Sequence, residues 1–462
     1  MKRNSIALSF ILLVIGLSLA GSLRAGAAPS AEEVYRIGVQ TYILGYPLVL
    51  TEVTRQVFLK RFPVNTFSHA AAFPPPSART VIRPNCDTLY SSAWLDLSQE
   101  PIILSGPDTG GRYYLVQIMD AWTETLAVPG KRTTGTKPGQ FAIVGPNWKG
   151  TLPPNLPVIK SSTNTVWIIA RTQTNTATDY AYVHTVQKGF KLTLLKALGR
   201  EEPPAPSPGV LPPIPLSSNL TPPAQVAQMS AETFYKTLTA LLRDNAPHPE
   251  DVPFLVELKK IGLVPGKPFD FEAFDPETRP ALERAVQDAR KRMVEQARII
   301  GRERKGWGTN LDIGRYGTDY LTRAVTALKG LGALPPEEAI YFGTGMDREG
   351  KPLDGSKRYV LHLEKSEIPP VNAFWSVTLY DREGYFVPNP LNRFAIGDRD
   401  PLRFNPEGSL DLYIQHQRPG EDLVANWLPA PAGVFNLSLR LYWPKPEVIN
   451  RKWTPPEIQR LD

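Results

Sequence analysis

At 462 residues the chain is longer than one hydrophobic core usually organises, so two domains are expected, and 42% hydrophobic against 21% charged residues is an ordinary globular balance. The formal charge of +7 falls to +4 once Lys2, Arg3 and Arg24 leave with an N-terminal leader, and the remaining Lys and Arg are interspersed with Asp and Glu, which excludes a nucleic-acid footprint. Cys86 is the single cysteine, so no disulfide forms within the chain, and 47 prolines favour stiff loops over long helices.

The chain begins with Lys2 and Arg3, an apolar run over 6–20 and Ala25-Gly26-Ala27, the three regions of a secretory signal peptide. Residues 1–27 are therefore read as a leader cleaved after Ala27, with a periplasmic or secreted mature protein. An uncleaved anchor is the alternative, although the run is shorter than the ~20 residues a spanning helix needs. No transmembrane span is expected in the mature chain. Residues 31–62 carry Val34, Ile37, Tyr42, Val49 and Val53 near helical spacing, with Pro47 expected to break or kink the helix.

After a proline-rich loop over 71–84, aromatic and β-branched runs separated by Gly-Pro turns predict antiparallel strands, so 28–177 is read as an N-terminal β-rich domain with a leading helix. The spacing of Tyr182, Val183, Val186, Phe190 and Leu194 predicts a helix reaching Leu198, with Gly199 as its stop. It opens a helical region over 178–333, interrupted by a proline-rich linker at 201–223 and clearest at 279–304. Alternating apolar and polar positions return from Glu338, giving a C-terminal β-sandwich-like domain over 334–446 and a tail, 447–462, laid along the surface. The expected class is α+β: two antiparallel β-sandwich-like domains with a helical layer between them.

The chain has no GxSxG elbow, P-loop, GxGxxG or HExxH, and its five histidines show no metal-ligand spacing. No metal and no cofactor are therefore expected, although a metal site built from distant residues stays open. Two polar runs in β surroundings remain. The first holds Arg83, Asn85, Asp87 and Tyr90, followed by Asp120 and Trp122. An arginine keeps a neighbouring carboxylate ionised while an apolar setting raises its pKa, so Asp87 and Asp120 would act as a base and acid pair if they converge. In the competing reading Asn85 and Asp87 bond to the local backbone, Arg83 closes the turn and Tyr90 packs inward.

The second run, 384–400, contains Arg393, Asp398 and Arg399. The arginines suit bidentate contact with a carboxylate or sulfate group of a ligand, or else pair internally with Asp398 and Asp400. Both runs are expected to face one site between the β domains. Cys86 is read as a small buried hydrophobe, with a nucleophile as the alternative.

YILGYPLVL, RTVIRPNCDTLYSSAWLDLSQEPIIL and GRYYLVQIMDAW resemble the domain of unknown function numbered twelve fifty-four, and WSVTLYDREGYFVPNPLNRFAIGDRD, GSLDLYIQHQRPG and NWLPAPAGVFNLSLRLYWP are similar to its usual companion, domain twelve fourteen. The resemblance implies an exported, bacterial, cell-envelope-associated protein with two β-rich domains. It places the family's recurring polar positions on Arg83, Asn85, Asp87, Tyr90, Asp120, Arg393, Asp398 and Arg399, and implies no activity. Two functions follow from the residues. One is a metal-independent hydrolase or lyase acting on a polar carbohydrate or carboxylate-bearing compound, with Arg83, Arg393 and Arg399 orienting it. The other is a non-catalytic envelope ligand-binding or assembly protein, and an oxidoreductase with an unrecognised metal is a third reading. The expected partner is a small-molecule or carbohydrate ligand; a homo-oligomer stays open.

Overall fold

Ser30 accepts a hydrogen bond from the Glu33 amide at 3.2 Å and so caps α1 (Ala31–Leu59), whose first turn carries Glu32 and Glu33. Every residue over 41–53 is buried, which makes α1 a central helix covered on all sides. This explains why, of the expected break or kink, the break does not occur and the helix runs on through Pro47. Its missing amide costs about 3 kcal/mol, and burying Leu48, Val49, Leu50 and Val53 at about 1.5–3 kcal/mol each outweighs that. The computed structural model describes residues 29–79, 81–199, 214, 217, 219–299, 301 and 306–462. The leader at 1–27 and most of the 201–223 linker lie outside the described residues.

The first sandwich follows. One sheet runs in the order β1 (Ser68–His69), β2 (Thr88–Asp96), β8 (Thr165–Gln173), β4 (Tyr114–Asp120), β5 (Thr125–Ala127). The other runs β7 (Val158–Lys160), β6 (Gly139–Val144), β3 (Ile102–Gly106), β9 (Lys191–Leu194). Among the described residues of this sandwich the pairing is antiparallel except between β6 and β7. Side-chain alternation along β8 sends Val166, Ile168 and Ala170 into the core shared with Leu95, Ile102, Leu104 and Val116, which turns Trp167, Ile169 and Arg171 to the opposite face. Helix α2 (Tyr180–Gly189) stops nine residues before the expected Leu198. A Cβ on Gly189 would stand 2.5 Å from Pro107, so the helix ends in a close approach, and β9 then pairs with β3 through Leu192 and Leu104.

Helices α3 (Pro222–Ala227), α4 (Ala231–Leu241), α5 (Val252–Lys260), α6 (Arg279–Ile299) and α7 (Tyr320–Gly330) pack around α1 in one apolar core that includes Phe234, Leu238, Leu282 and Val325. No described helix is long and apolar enough to cross a membrane.

The second sandwich has one sheet ordered β10 (Ala339–Thr344), β16 (Phe435–Pro444), β12 (Val371–Asp381), β13 (Ala395–Gly397). Its other sheet is ordered β15 (Trp427–Pro429), β14 (Leu410–Gln415), β11 (Tyr359–Leu363), β17 (Gln459–Arg460). The tail is part of this domain and does not simply lie along the surface: β17 pairs with β11, and Trp453 and Ile458 are buried in the sandwich core. A short helix, Pro446–Ile449, opens this segment, and the prolines beyond it leave an edge strand possible. The molecule is α+β with two sandwiches, which touch directly through Tyr113, Leu115 and Val128 against Phe374 and Tyr442.

Candidate functional site

The run 83–90 sits on the seam between the sandwiches. The Asn85 side-chain oxygen accepts from the Asp87 and Thr88 amides at 2.6 and 3.0 Å, a side-chain-mimicked turn that starts β2, while its amide donates to the Tyr442 hydroxyl at 2.7 Å. Asp87 reaches across instead of bonding locally. Its carboxylate accepts from the Ser376 hydroxyl at 2.8 Å and from the Arg399 guanidinium, which also donates to the Asp87 and Thr174 carbonyls at 3.3 and 3.2 Å. Arg399 lies 4.1 Å over the Phe374 ring. The two polar runs therefore meet, but Asp87 is fully buried, and what they form is an interdomain tie closed to a substrate.

The neighbours complete this tie. Arg440 is buried and donates to the Thr378 and Tyr380 hydroxyls, and Tyr380 donates to the Pro84 carbonyl at 2.7 Å. Arg171 donates to Gln117 at 3.1 Å and stands 5.0 Å over the Tyr90 ring. Burial, reinforced by Asp87, pushes the Cys86 thiol up to about 12, which leaves it protonated and unreactive. Arg393 is elsewhere, donating to the Val424, Ala425 and Trp427 carbonyls at 3.0, 3.3 and 2.9 Å. Asp398 accepts from the Trp375 amide at 3.2 Å, and desolvation by the surrounding protein raises its carboxyl to about 6.

Asp120 is not brought to Asp87. It pairs with Val166 at the start of β8, whereas the Asp87 carbonyl accepts from Thr174 just beyond the end of that strand. Eight residues at ~3.3 Å each separate them by roughly 26 Å, so the two carboxylates do not work as one acid and base pair. Asp120 instead accepts from Ser162 at 3.0 Å and lies 2.6 Å from His248 Nε2, while Asp251 lies 3.5 Å from His248 Nδ1 and accepts from Tyr320 at 2.7 Å. Trp122 is a core side chain and does not offer a ligand surface: it is fully buried and donates to the Ala246 carbonyl at 3.1 Å.

Arg83 departs from its neighbours. Its φ of 54° puts a non-glycine residue in the left-handed region, held there by its amide donating to the Gly384 carbonyl at 2.7 Å. That turn carries its side chain away from the seam, over Gly343 of β10, into a cavity of about 710 Å³. Arg298 from the last turn of α6 and Lys329 from the last turn of α7 line the same cavity, with Tyr341, Asn436 and Ser438 from the second sandwich. Lys329 donates to the Ala297 carbonyl at 2.9 Å; desolvation by the cavity wall and the Arg83 charge both lower its pKa. Among the described residues, no Asp or Glu lines this cavity, and none pairs with Arg83, Arg298 or Lys329. Sequence reading passed over Arg298 and Lys329 because cations in a helix's last turn are ordinary dipole partners. Among the described residues no group of three or more His, Cys, Asp or Glu is placed to hold a metal ion.

Residues 64–194 match the family model described as Protein of unknown function (DUF1254), and residues 338–446 match Protein of unknown function (DUF1214). The chain carries a DUF1254 region followed by a DUF1214 region. The DUF1254 match spans the first sandwich and the DUF1214 match spans β10 to β16, so Arg83 enters the cavity from the first, Tyr341 and Asn436 from the second, and Arg298 and Lys329 from helices between them. The crystal structure of the VPA0106 protein from Vibrio parahaemolyticus is similar over 93% of this chain and 100% of its own, at 26% identity and a TM-score of 0.72. An uncharacterized protein from Burkholderia cenocepacia aligns over 93% of this chain and 92% of its own, at 11% identity and a TM-score of 0.44. No curated protein matches the chain.

Proposed function

We propose that this chain is an exported, non-catalytic binding protein whose ligand is a small carboxylate-bearing molecule held beside Arg83. The observation that carries this reading is the convergence of Arg83, Arg298 and Lys329 on one cavity with no described carboxylate in its lining. Like charges gathered in a concavity disfavour one another, as the effect of Arg83 on Lys329 shows, and an anion relieves that cost. The guanidinium fork suits a carboxylate, and about 710 Å³ is the size of a small-molecule site. Hydrolysis or elimination through Asp87 and Asp120 draws no support from this geometry, since neither lines the cavity.

Isothermal titration of the mature protein with succinate and citrate tests the reading. Each charge-assisted hydrogen bond contributes about 1.5–3 kcal/mol, so Arg83→Gln is expected to weaken binding at least tenfold, and adding Lys329→Met to weaken it further. Unchanged affinity in the double variant, or no binding of either probe to the wild type, would reject the proposal. Export is tested separately by the mass of the protein recovered outside the cytoplasm: a mature chain starting at Ala28 supports it, and an intact Met1 terminus opposes it.

A further inference from the structure

We propose that the bound acid is amphipathic: its carboxylate pairs with the cations beside Arg83, and its apolar chain or ring enters a second cavity on the far side of Trp307 and Thr309. This rests on the anion-site reading above and adds the ligand's chemical class. The second cavity, about 310 Å³, has Trp307, Leu311, Phe342, Val448 and Trp453 as its apolar lining, with Arg451 and Thr454 among its polar walls. Phe342 and Trp453 meet edge-to-face with ring centroids 5.9 Å apart. Trp307 and Thr309 line both cavities.

Topology explains how a polar and an apolar chamber come to share a wall. β10 is an edge strand of its sheet, and alternation along it sends Tyr341 and Gly343 toward the cationic cavity and Phe342 toward the sandwich core. The free edge of β10 is covered by the segment around Gly308, whose amide and carbonyl both bond to Gly343 at 2.8 Å. The two cavities therefore flank one covered edge and share the Trp307 and Thr309 wall, and the proposed ligand crosses that wall beside Thr309. The Thr309 hydroxyl in this partition has no hydrogen-bond partner among the described residues.

The first cavity is itself divided. Its cations come from α6, α7 and Arg83, while Ile313, Val325 and Met346 make up apolar wall, and Met346 is 52% exposed among the described residues. A compact polyanion would satisfy the cations but leave that wall and the second cavity in water. An acid with an apolar body covers both, and burial of the tail is worth about 25 cal/mol for each Å² removed from water.

Calorimetric titration of the mature, full-length protein with acetate, hexanoate, octanoate and the uncharged 1-octanol tests the inference, with succinate as the reference anion. Affinity is expected to rise about fourfold for each methylene buried, and octanol to bind far more weakly than octanoate. Leu311→Trp fills the second cavity and should flatten the series while succinate binds as before. Where that variant does not fold, octanoate brominated at its tail end should quench tryptophan fluorescence in the wild type and quench it less in Trp307→Phe. If succinate binds and octanoate binds no tighter than acetate, the amphipathic ligand is wrong and the anion site stands. If no acid of either kind binds, both readings fail. Octanol binding as tightly as octanoate would overturn the link between the two cavities.

Discussion

Asp87 and Arg83 lie four positions apart and have opposite assignments, because the backbone between them turns. Arg83 takes a φ of 54° and leaves the seam for the cavity, whereas Asp87 is drawn into the seam by Ser376 and Arg399. Removing one partner of a buried ion pair leaves the other charge uncompensated, at a cost of about 3–5 kcal/mol. Asp87→Asn should therefore lower the urea unfolding midpoint markedly, while succinate affinity at the Arg83 cavity stays within about twofold of wild type. Adding Arg399→Met removes the stranded charge and is expected to recover part of the loss. A variant that keeps its stability but loses binding would place Asp87 in the ligand site and contradict the structure. The density of Arg, Asn, Asp and Tyr in this run was legible as chemistry, but its sequence gave no sign that a single left-handed residue sorts it into two sites.

Whole elements were more legible than the site because their signals are local. Alternation marked β12 and β16, aromatic and β-branched runs marked β8, and the helical spacing of Val34, Ile37, Tyr42, Val49 and Val53 marked α1. Expectations failed where distant packing decides: Pro47 stays helical inside a full shell of neighbours, and Gly189 ends α2 against Pro107. The cavity lay beyond sequence reading, since Arg83, Arg298, Lys329 and Tyr341 have no common spacing and meet only in the folded chain. Packing of α1 on α4 gives the sharpest test at this scale. A Cβ on Gly45 would stand 2.6 Å from Leu238, which is itself buried and has no room to withdraw. Alanine gains about 1 kcal/mol of helix propensity over glycine, but overpacking a filled core costs about 1–3 kcal/mol. Gly45→Ala is therefore expected to be destabilising by about 1 kcal/mol despite its better propensity, as read by chemical denaturation. A stabilised variant would show that α1 and α4 are less closely packed than described.

At the scale of the molecule, two buried polar contacts add to the apolar ones between the parts, which are Tyr113, Leu115 and Val128 against Phe374 and Tyr442 between the sandwiches and Trp122 within the helical core. Asp87 with Arg399 ties sandwich to sandwich, and Asp120 with His248 ties the first sandwich to the helices. The second tie titrates. Burial alone would lower the His248 imidazole, but its contacts with Asp120 and Asp251 outweigh burial and push it up to about 10. The facing groups include Arg323, which opposes the proton and is itself held by Glu124 at 3.0 Å, so the cluster is balanced around a protonated His248. A histidine raised from 6.5 to about 10 on folding binds more protons in the native state than in the unfolded one. Its stabilisation is fully present below about pH 6.5 and is lost as pH rises through about 10, with a slope approaching ~1.4 kcal/mol per pH unit between those limits. Thermal melts from pH 6 to 10 should thus fall more steeply for the wild type than for His248→Gln, whose glutamine keeps a donor for Asp120 without a titrating proton. Parallel curves for the two proteins would show that His248 is neutral in the fold and that its contact with Asp120 carries no titrating charge.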